Sequence, residues 1–290
     1  MWGPQDDADS LAAIRAAVDA GVNWIDTAPI YGEGHSETIV GQVLREIPSS
    51  QRPYVFTKFG QGETMVNRRR AASRADVLRE CEASLKRLGV ERIDLYQLHW
   101  PVTDPIAETA AACDELLRAG KIAAVGVSNY SVEQLETWVA TGFPLHCLQT
   151  PYSLLRPASG ETVIPWCFDH GRGSLAYSPL FRGMLFGTWT AATTFPEGDT
   201  RREHKDYQGE RFLRHLAAID ELRAIGEEAD LTVPQLAIGA LLATPGLTAC
   251  IVGARNAKQG AALADLPAIL SQKQLGAVQA VMDRLFADLG

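Results

Sequence analysis

The chain has 290 residues, 46% of them hydrophobic, which is enough for one large core, and no linker-like stretch divides it. Its net charge of −8 disfavours a general nucleic-acid binder, which needs a basic excess to neutralise phosphates. No apolar run approaches the roughly eighteen residues of a membrane span, the opening MWGPQDDADS lacks the basic and apolar parts of a signal peptide, and the five cysteines (Cys81, Cys113, Cys147, Cys167, Cys250) form no CxxC pair and read as reduced core thiols of a cytoplasmic protein.

In chain order, residues 10–20 place Leu11, Ile14, Ala17 and Val18 on one helical face. A strand is expected over 22–28, then a helix over 36–45 with Ile39, Val40, Val43 and Leu44 on its apolar side. A strand over 54–59 precedes a helix over 74–88, striped by Val77, Leu78, Cys81, Leu85 and Leu88. Strands follow over 93–100, 123–129, 146–152, 173–180 and 249–255. Ser131 with Gln134, and Thr232 with Gln235, have the spacing of capping boxes that open two further helices. This alternation predicts parallel βαβ units in one α/β domain over residues 1–290, a (β/α)8 TIM barrel. Seven strands are counted where the barrel needs eight, and the missing first strand is expected before Met1.

In such a barrel the chemistry lies at the C-terminal ends of the strands. The first strand ends at Asp26 with Tyr31 in the following turn, the second at Lys58, and the third at His99 and Trp100. Next come Ser128 and Asn129, then Gln149, then Tyr177 and Ser178, and last Gly253, Ala254 and Arg255. Four of these suit proton handling. A phenol titrates near 10 and becomes a usable acid beside an ammonium, which Lys58 supplies. A desolvated ammonium needs a counter-ion, which Asp26 supplies. His99 is placed to hold a substrate carbonyl against Tyr31. Each residue also has a plainer reading: Asp26 as a helix cap, Lys58 as a solvated edge lysine, His99 as a satisfied core histidine, Tyr31 as a packed ring. Their joint occurrence at successive strand ends favours the chemical reading. Trp100 reads as a substrate-pocket wall or as a packed aromatic.

Several stretches together resemble the aldo-keto reductase superfamily, and most of all its bacterial branch related to potassium-channel β-subunits. They are NWIDTAPIYGEGHSE (23–37), VFTKFG (55–60), RIDLYQLHWP (92–101), GKIAAVGVSNY (120–130), LQTPYSLL (148–155), LAYSPLFRGML (175–185) and IVGARNAKQ (251–259). The resemblance implies NADPH-dependent reduction of an aldehyde or ketone, with NADH as a possible substitute. It implies Tyr31 as general acid, Lys58 and Asp26 as its tuning pair and His99 as the group that orients the carbonyl. It implies Ser128, Asn129 and Gln149 on the nicotinamide amide and Tyr177 against the ring. The backbone of Ser178, Pro179, Leu180, Gly183 and Leu185 would cover the pyrophosphate. Gly253 and Ala254 would lie by the adenosine phosphate, with Arg255 and Gln259 meeting a 2′-phosphate. His35, Ser36 and Glu37 read as helix-start and scaffold residues. The basic run Arg68–Arg74 reads as a solvated loop and helix start.

No GxGxxG, phosphate-loop, GxSxG or metal-ligand pattern is present, so no metal is expected. The chain departs from the family pattern twice. The family has a longer N-terminus that supplies a hairpin and the first strand, so a misplaced start or a shortened gene is expected, leaving a seam between the outermost strands. Where relatives often carry Glu-Asn against adenine, this chain has Ala262 and Leu263. The alternative to an enzyme is therefore a cofactor-binding regulatory subunit or an inactive, strand-deficient paralogue. The expected partner is a small-molecule carbonyl compound, without nucleic acid or membrane. The substrate is not legible, because loops shape its pocket.

Overall fold

A computed structural model describes residues 5–61 and 71–290. The sequence readings on Met1–Pro4 and on Arg68, Arg69 and Arg70 lie outside the described residues.

The strands are β1 (Trp24–Asp26), β2 (Tyr54–Phe59), β3 (Leu95–Leu98), β4 (Val125–Ser128), β5 (Cys147–Pro151), β6 (Gly173–Tyr177) and β7 (Ala249–Ile251). Each pairs in parallel with the next, so the sheet order is the sequence order. The helices are α1 (Asp7–Asp19), α2 (His35–Glu46), α3 (Arg74–Leu88), α4 (Ile106–Arg118), α5 (Val132–Ala140), α6 (Ala158–Glu161), α7 (Val163–Asp169), α8 (Gly209–Glu228), α9 (Val233–Leu242), α10 (Ala257–Ala261) and α11 (Gln272–Leu289). The result is a nearly closed (β/α)8-type barrel of seven strands, whose outer strands β1 and β7 each pair on one side only among the described residues.

Local sequence accounts for the elements. Strand β4, VGVS, is buried at every position, as parallel strands covered on both faces require. Ser131 and Thr232 form the two expected capping boxes, and Ser271 with Gln274 forms a third at the start of α11. One large apolar cluster packs α2 to α5 against β2 to β4, and a second joins α8, α9 and α11.

Six strands are shorter than the sequence predicts: 24–26, 95–98, 125–128, 147–151, 173–177 and 249–251 in place of 22–28, 93–100, 123–129, 146–152, 173–180 and 249–255. At two of the ends the backbone itself leaves the β region, with Asn129 at φ 64° and Ser178 at φ 54°. Helix α1 starts earlier than expected because Asp6 accepts a hydrogen bond from the Ala8 amide and caps it.

The strand period of two sets up two layers. Trp24, Phe56, Leu95, Cys147, Leu175 and Ala249 form an apolar floor. Two residues further along the same strands stand Asp26, Lys58, Gln97, Gln149, Tyr177 and Ile251. Thus the floor is hydrophobic and the layer above it is almost wholly polar.

Candidate active site

Lys58 is fully buried on β2. Its ammonium donates to Asp26 Oδ2, and to the Thr27 carbonyl at 3.0 Å. Burial pushes the Lys58 pKa down, but the Asp26 carboxylate and Tyr31 push it up, and the net direction is up. The ammonium is therefore held charged in a dry site. Its Nζ lies 5.5 Å from the centroid of the Tyr31 ring. The His99 ring stands edge-on to Tyr31 at 5.9 Å and 86°. The turn after β1 doubles back to place Tyr31: the Gly34 amide donates to the Pro29 carbonyl at 2.6 Å and the Ser36 amide to the Tyr31 carbonyl at 3.2 Å. Asp26, Tyr31, Lys58 and His99, which sequence spacing nominates, are thus brought together.

The same turn explains His35, Ser36 and Glu37. His35 opens α2 and meets Asp7 at 2.7 Å, and Ser36 bonds to Thr27 at 2.9 Å. Glu37 is fully buried and accepts from Thr57 and from Arg87, both at 2.6 Å. These bonds tie α2 to β2 and α3.

Beside the tetrad is a second polar group. Asn129 donates to the His99 carbonyl at 3.1 Å and to Ser128 Oγ at 2.9 Å, and it accepts from the Tyr177 hydroxyl at 2.8 Å. Its positive φ is tolerated by asparagine. Burial raises the Tyr177 pKa, so the phenol remains a donor. Gln149 Nε2 donates to Asp26 Oδ1 at 2.9 Å and to Gln97 Oε1 at 3.3 Å. Gln97 Nε2 in turn donates to Asp26 Oδ1 at 3.2 Å. Sequence reasoning assigns Gln149 and Asn129 to a cofactor amide. In the structure both also brace the protein. Gln97 was missed, although a glutamine two residues before His99 on an apolar strand shares its face. Trp100 sits half-buried at the rim, next to His99.

Beyond β6 the backbone is unusual. Ser178, Phe181, Arg182 and Gly183 all have positive φ, at 54°, 46°, 51° and 102°. Pro179, Leu180 and Leu185 are buried beneath them. Arg201 pairs with Asp199 at 2.6 Å, donates to the Arg182 carbonyl at 3.1 Å, and lies over the rings of Trp189 and Phe195. The Tyr207 hydroxyl donates to the Phe181 carbonyl at 3.0 Å. A Cβ at Gly183 would come within 3.2 Å of Trp189. Gly183→Ala is therefore expected to destabilise the chain by about 1–2 kcal/mol, read from urea unfolding, and to weaken dinucleotide binding in parallel. Unchanged stability would show that the turn relaxes.

At β7 the exposed residues Gly253, Arg255 and Gln259 and the half-buried Ala254 cluster with Gln5. Arg255 Nε donates to Gln5 Oε1 at 2.8 Å, Gln5 Nε2 donates to the Arg255 carbonyl at 2.7 Å, and Gln259 Oε1 accepts from the Arg255 amide at 2.8 Å. Gln259 thus holds the Arg255 backbone. Gln5 is a second residue that sequence reasoning missed, because it lies 250 positions from its partner.

Among the described residues no group of three or more His, Cys, Asp or Glu side chains is arranged to hold a metal, and no helix is long and apolar enough to cross a membrane. The cysteines are free thiols. Burial pushes Cys81 and Cys167 up to about 11 and Cys250 up to about 12, and raises Cys113 and Cys147 as well, so all five are poor nucleophiles.

The Aldo/keto reductase family model matches residues 1–283. The chain is 40% identical to the aldo-keto reductase YhdN of Bacillus subtilis over 92% of its own length and 81% of that protein's. It is 32% identical to an NADH-specific methylglyoxal reductase of Escherichia coli, over 86% and 79% of the two chains. Among solved structures it resembles a glycerol dehydrogenase from Gluconobacter oxydans, with a TM-score of 0.90, 38% identity and coverage of 98% and 88%. A buried lysine–aspartate pair under a tyrosine at the strand ends of such a barrel agrees with these matches: the chain belongs to the aldo/keto reductase family of NAD(P)H-dependent oxidoreductases.

Proposed function

We propose that the chain reduces an aldehyde or ketone to an alcohol, with NADPH as hydride donor and Tyr31 as proton donor. The observation that carries this reading is the fully buried Lys58, charged against Asp26 and set under the Tyr31 ring beside His99.

The residues present fit an extended dinucleotide. Ser128, Asn129, Gln149 and Tyr177 provide amide and hydroxyl partners and a ring face for a nicotinamide. The positive-φ turn at Ser178–Gly183, whose glycine sits at φ 102°, permits close backbone approach to a diphosphate. Gly253, Ala254, Arg255 and Gln259 would receive the adenosine end. A bound reduced nicotinamide supplies a hydride to the carbonyl carbon. His99 holds the carbonyl oxygen by a hydrogen bond and turns it towards Tyr31. Tyr31 gives its hydroxyl proton to that oxygen as negative charge develops there. The Lys58 ammonium stabilises the phenolate left behind, and Asp26 keeps that ammonium charged and in place. Trp100 walls the carbonyl's side of the pocket.

NADPH is assigned over NADH because Arg255 offers a guanidinium at the adenosine end, suited to a 2′-phosphate. The Escherichia coli relative is named for NADH, so the choice needs its own test. Arg255→Ala is expected to weaken NADPH binding about tenfold and NADH binding little, measured by direct titration of both. Equal weakening would remove the phosphate-reading role and leave NADH as the cofactor of choice.

The alternative is a cofactor-binding subunit without turnover. Steady-state NADPH oxidation with a panel of aldehydes and ketones separates the two: turnover supports the reductase, and tight cofactor binding without turnover supports the subunit.

A further inference from the structure

We propose that Gln97 is a positioning residue that fixes the amide of Gln149 with its carbonyl oxygen towards the cofactor, so that the site selects a carboxamide on the nicotinamide ring over a carboxylate. The inference rests on the reading that this end of the barrel takes the nicotinamide.

Gln97 is fully buried and Gln149 is 3% exposed, so neither amide has water to satisfy it freely. Gln149 Nε2 faces two acceptors, Asp26 Oδ1 at 2.9 Å and Gln97 Oε1 at 3.3 Å. Turning that amide over would set its oxygen against a carboxylate and a carbonyl, losing both bonds in a dry site and adding repulsion. Gln97 cannot turn over either, because its own Nε2 donates to Asp26 Oδ1 at 3.2 Å. The order of orientation therefore begins at Asp26, whose other oxygen is held by Lys58, passes through Gln97 and ends at Gln149. Gln149 Oε1 takes no hydrogen bond from a described residue and remains the open acceptor.

The place for Gln97 is built into the neighbouring strand. Gln97 pairs in register with Gly126 of β4, and a Cβ at Gly126 would stand 2.9 Å from Gln97 Cγ. The glutamine stem thus lies across a glycine that any larger residue would displace.

An open carbonyl acceptor pairs with the NH2 of a carboxamide and repels a carboxylate oxygen, with the Asp26 charge behind it adding to the repulsion. The test compares binding of NADP+ with binding of its nicotinic acid analogue, followed by quenching of tryptophan fluorescence. The intact chain is expected to prefer NADP+ by at least about tenfold. Gln97→Met removes both hydrogen-bonding atoms and keeps the stem, and is expected to lower that preference about fivefold. Gln97→Leu does the same if the methionine variant does not fold. If Gln97→Met leaves the preference intact while Gln149→Met abolishes it, Asp26 alone orients Gln149 and the proposal falls. If Gln149→Met also leaves the preference intact, the nicotinamide does not bind at this end and the underlying reading falls with it.

Discussion

Tyr31→Phe is expected to lower carbonyl reduction by about 10²- to 10⁴-fold, the range of a lost general acid, while leaving NADPH affinity essentially unchanged. The change removes one oxygen. The ring keeps its edge-on contact with His99 and its place over Lys58, so the pocket should not collapse. Tyr31 is 41% exposed, which leaves its hydroxyl end accessible to a substrate from the rim. The loss should fall on kcat and kcat/KM together, because the proton is transferred in the transition state and not on binding. Turnover within a few-fold of the original would assign the proton to another group.

Lys58→Met is expected to have the second large effect, on stability and activity at once. It leaves the Asp26 side chain, itself 6% exposed, without its buried counter-ion. Breaking such a pair costs about 3–5 kcal/mol, and the amide donors Gln97 and Gln149 on Asp26 Oδ1 should hold the cost to about 3 kcal/mol. Turnover should fall by at least about 100-fold, because nothing then stabilises the Tyr31 phenolate. Adding Asp26→Asn to Lys58→Met should recover part of the stability and none of the activity. Urea unfolding and steady-state kinetics read the two effects separately. A double variant no more stable than the single one would show that the charge pair is not the source of the loss.

The positions of all seven strands were legible in the sequence, because runs such as AAVGVSN and IDLYQLHW are apolar enough to be buried on both faces and are bounded by helical patterns. Their ends were less so. Asn129 and Ser178 leave the β region through positive φ, and single residues in that conformation give little local sign of it. The capping box at Ser271 was readable by the rule that found Ser131 and Thr232, so α11 could have been drawn from the sequence. The tetrad residues stood out because charged and phenolic groups at the ends of buried strands are conspicuous. Gln97 did not, because a neutral amide inside an apolar run reads as an ordinary polar position. Its meaning depends on Asp26 and Gln149, which lie 71 and 52 residues away and come together only when the barrel forms. The pairing of Gln5 with Arg255 is hidden for the same reason. The Arg201 brace on the Phe181–Gly183 turn joins two loop segments whose sequence has no periodicity to read.

The most direct test is to follow the hydride itself. The purified chain is mixed with NADPH carrying deuterium at C4 of the nicotinamide and with a panel of aldehydes and ketones, and the products are analysed by mass spectrometry. The expected product is an alcohol with deuterium on the former carbonyl carbon, formed about 10²- to 10⁴-fold more slowly when Tyr31→Phe replaces the original chain. A folded chain that binds NADPH yet returns every carbonyl compound unchanged would contradict the reductase reading.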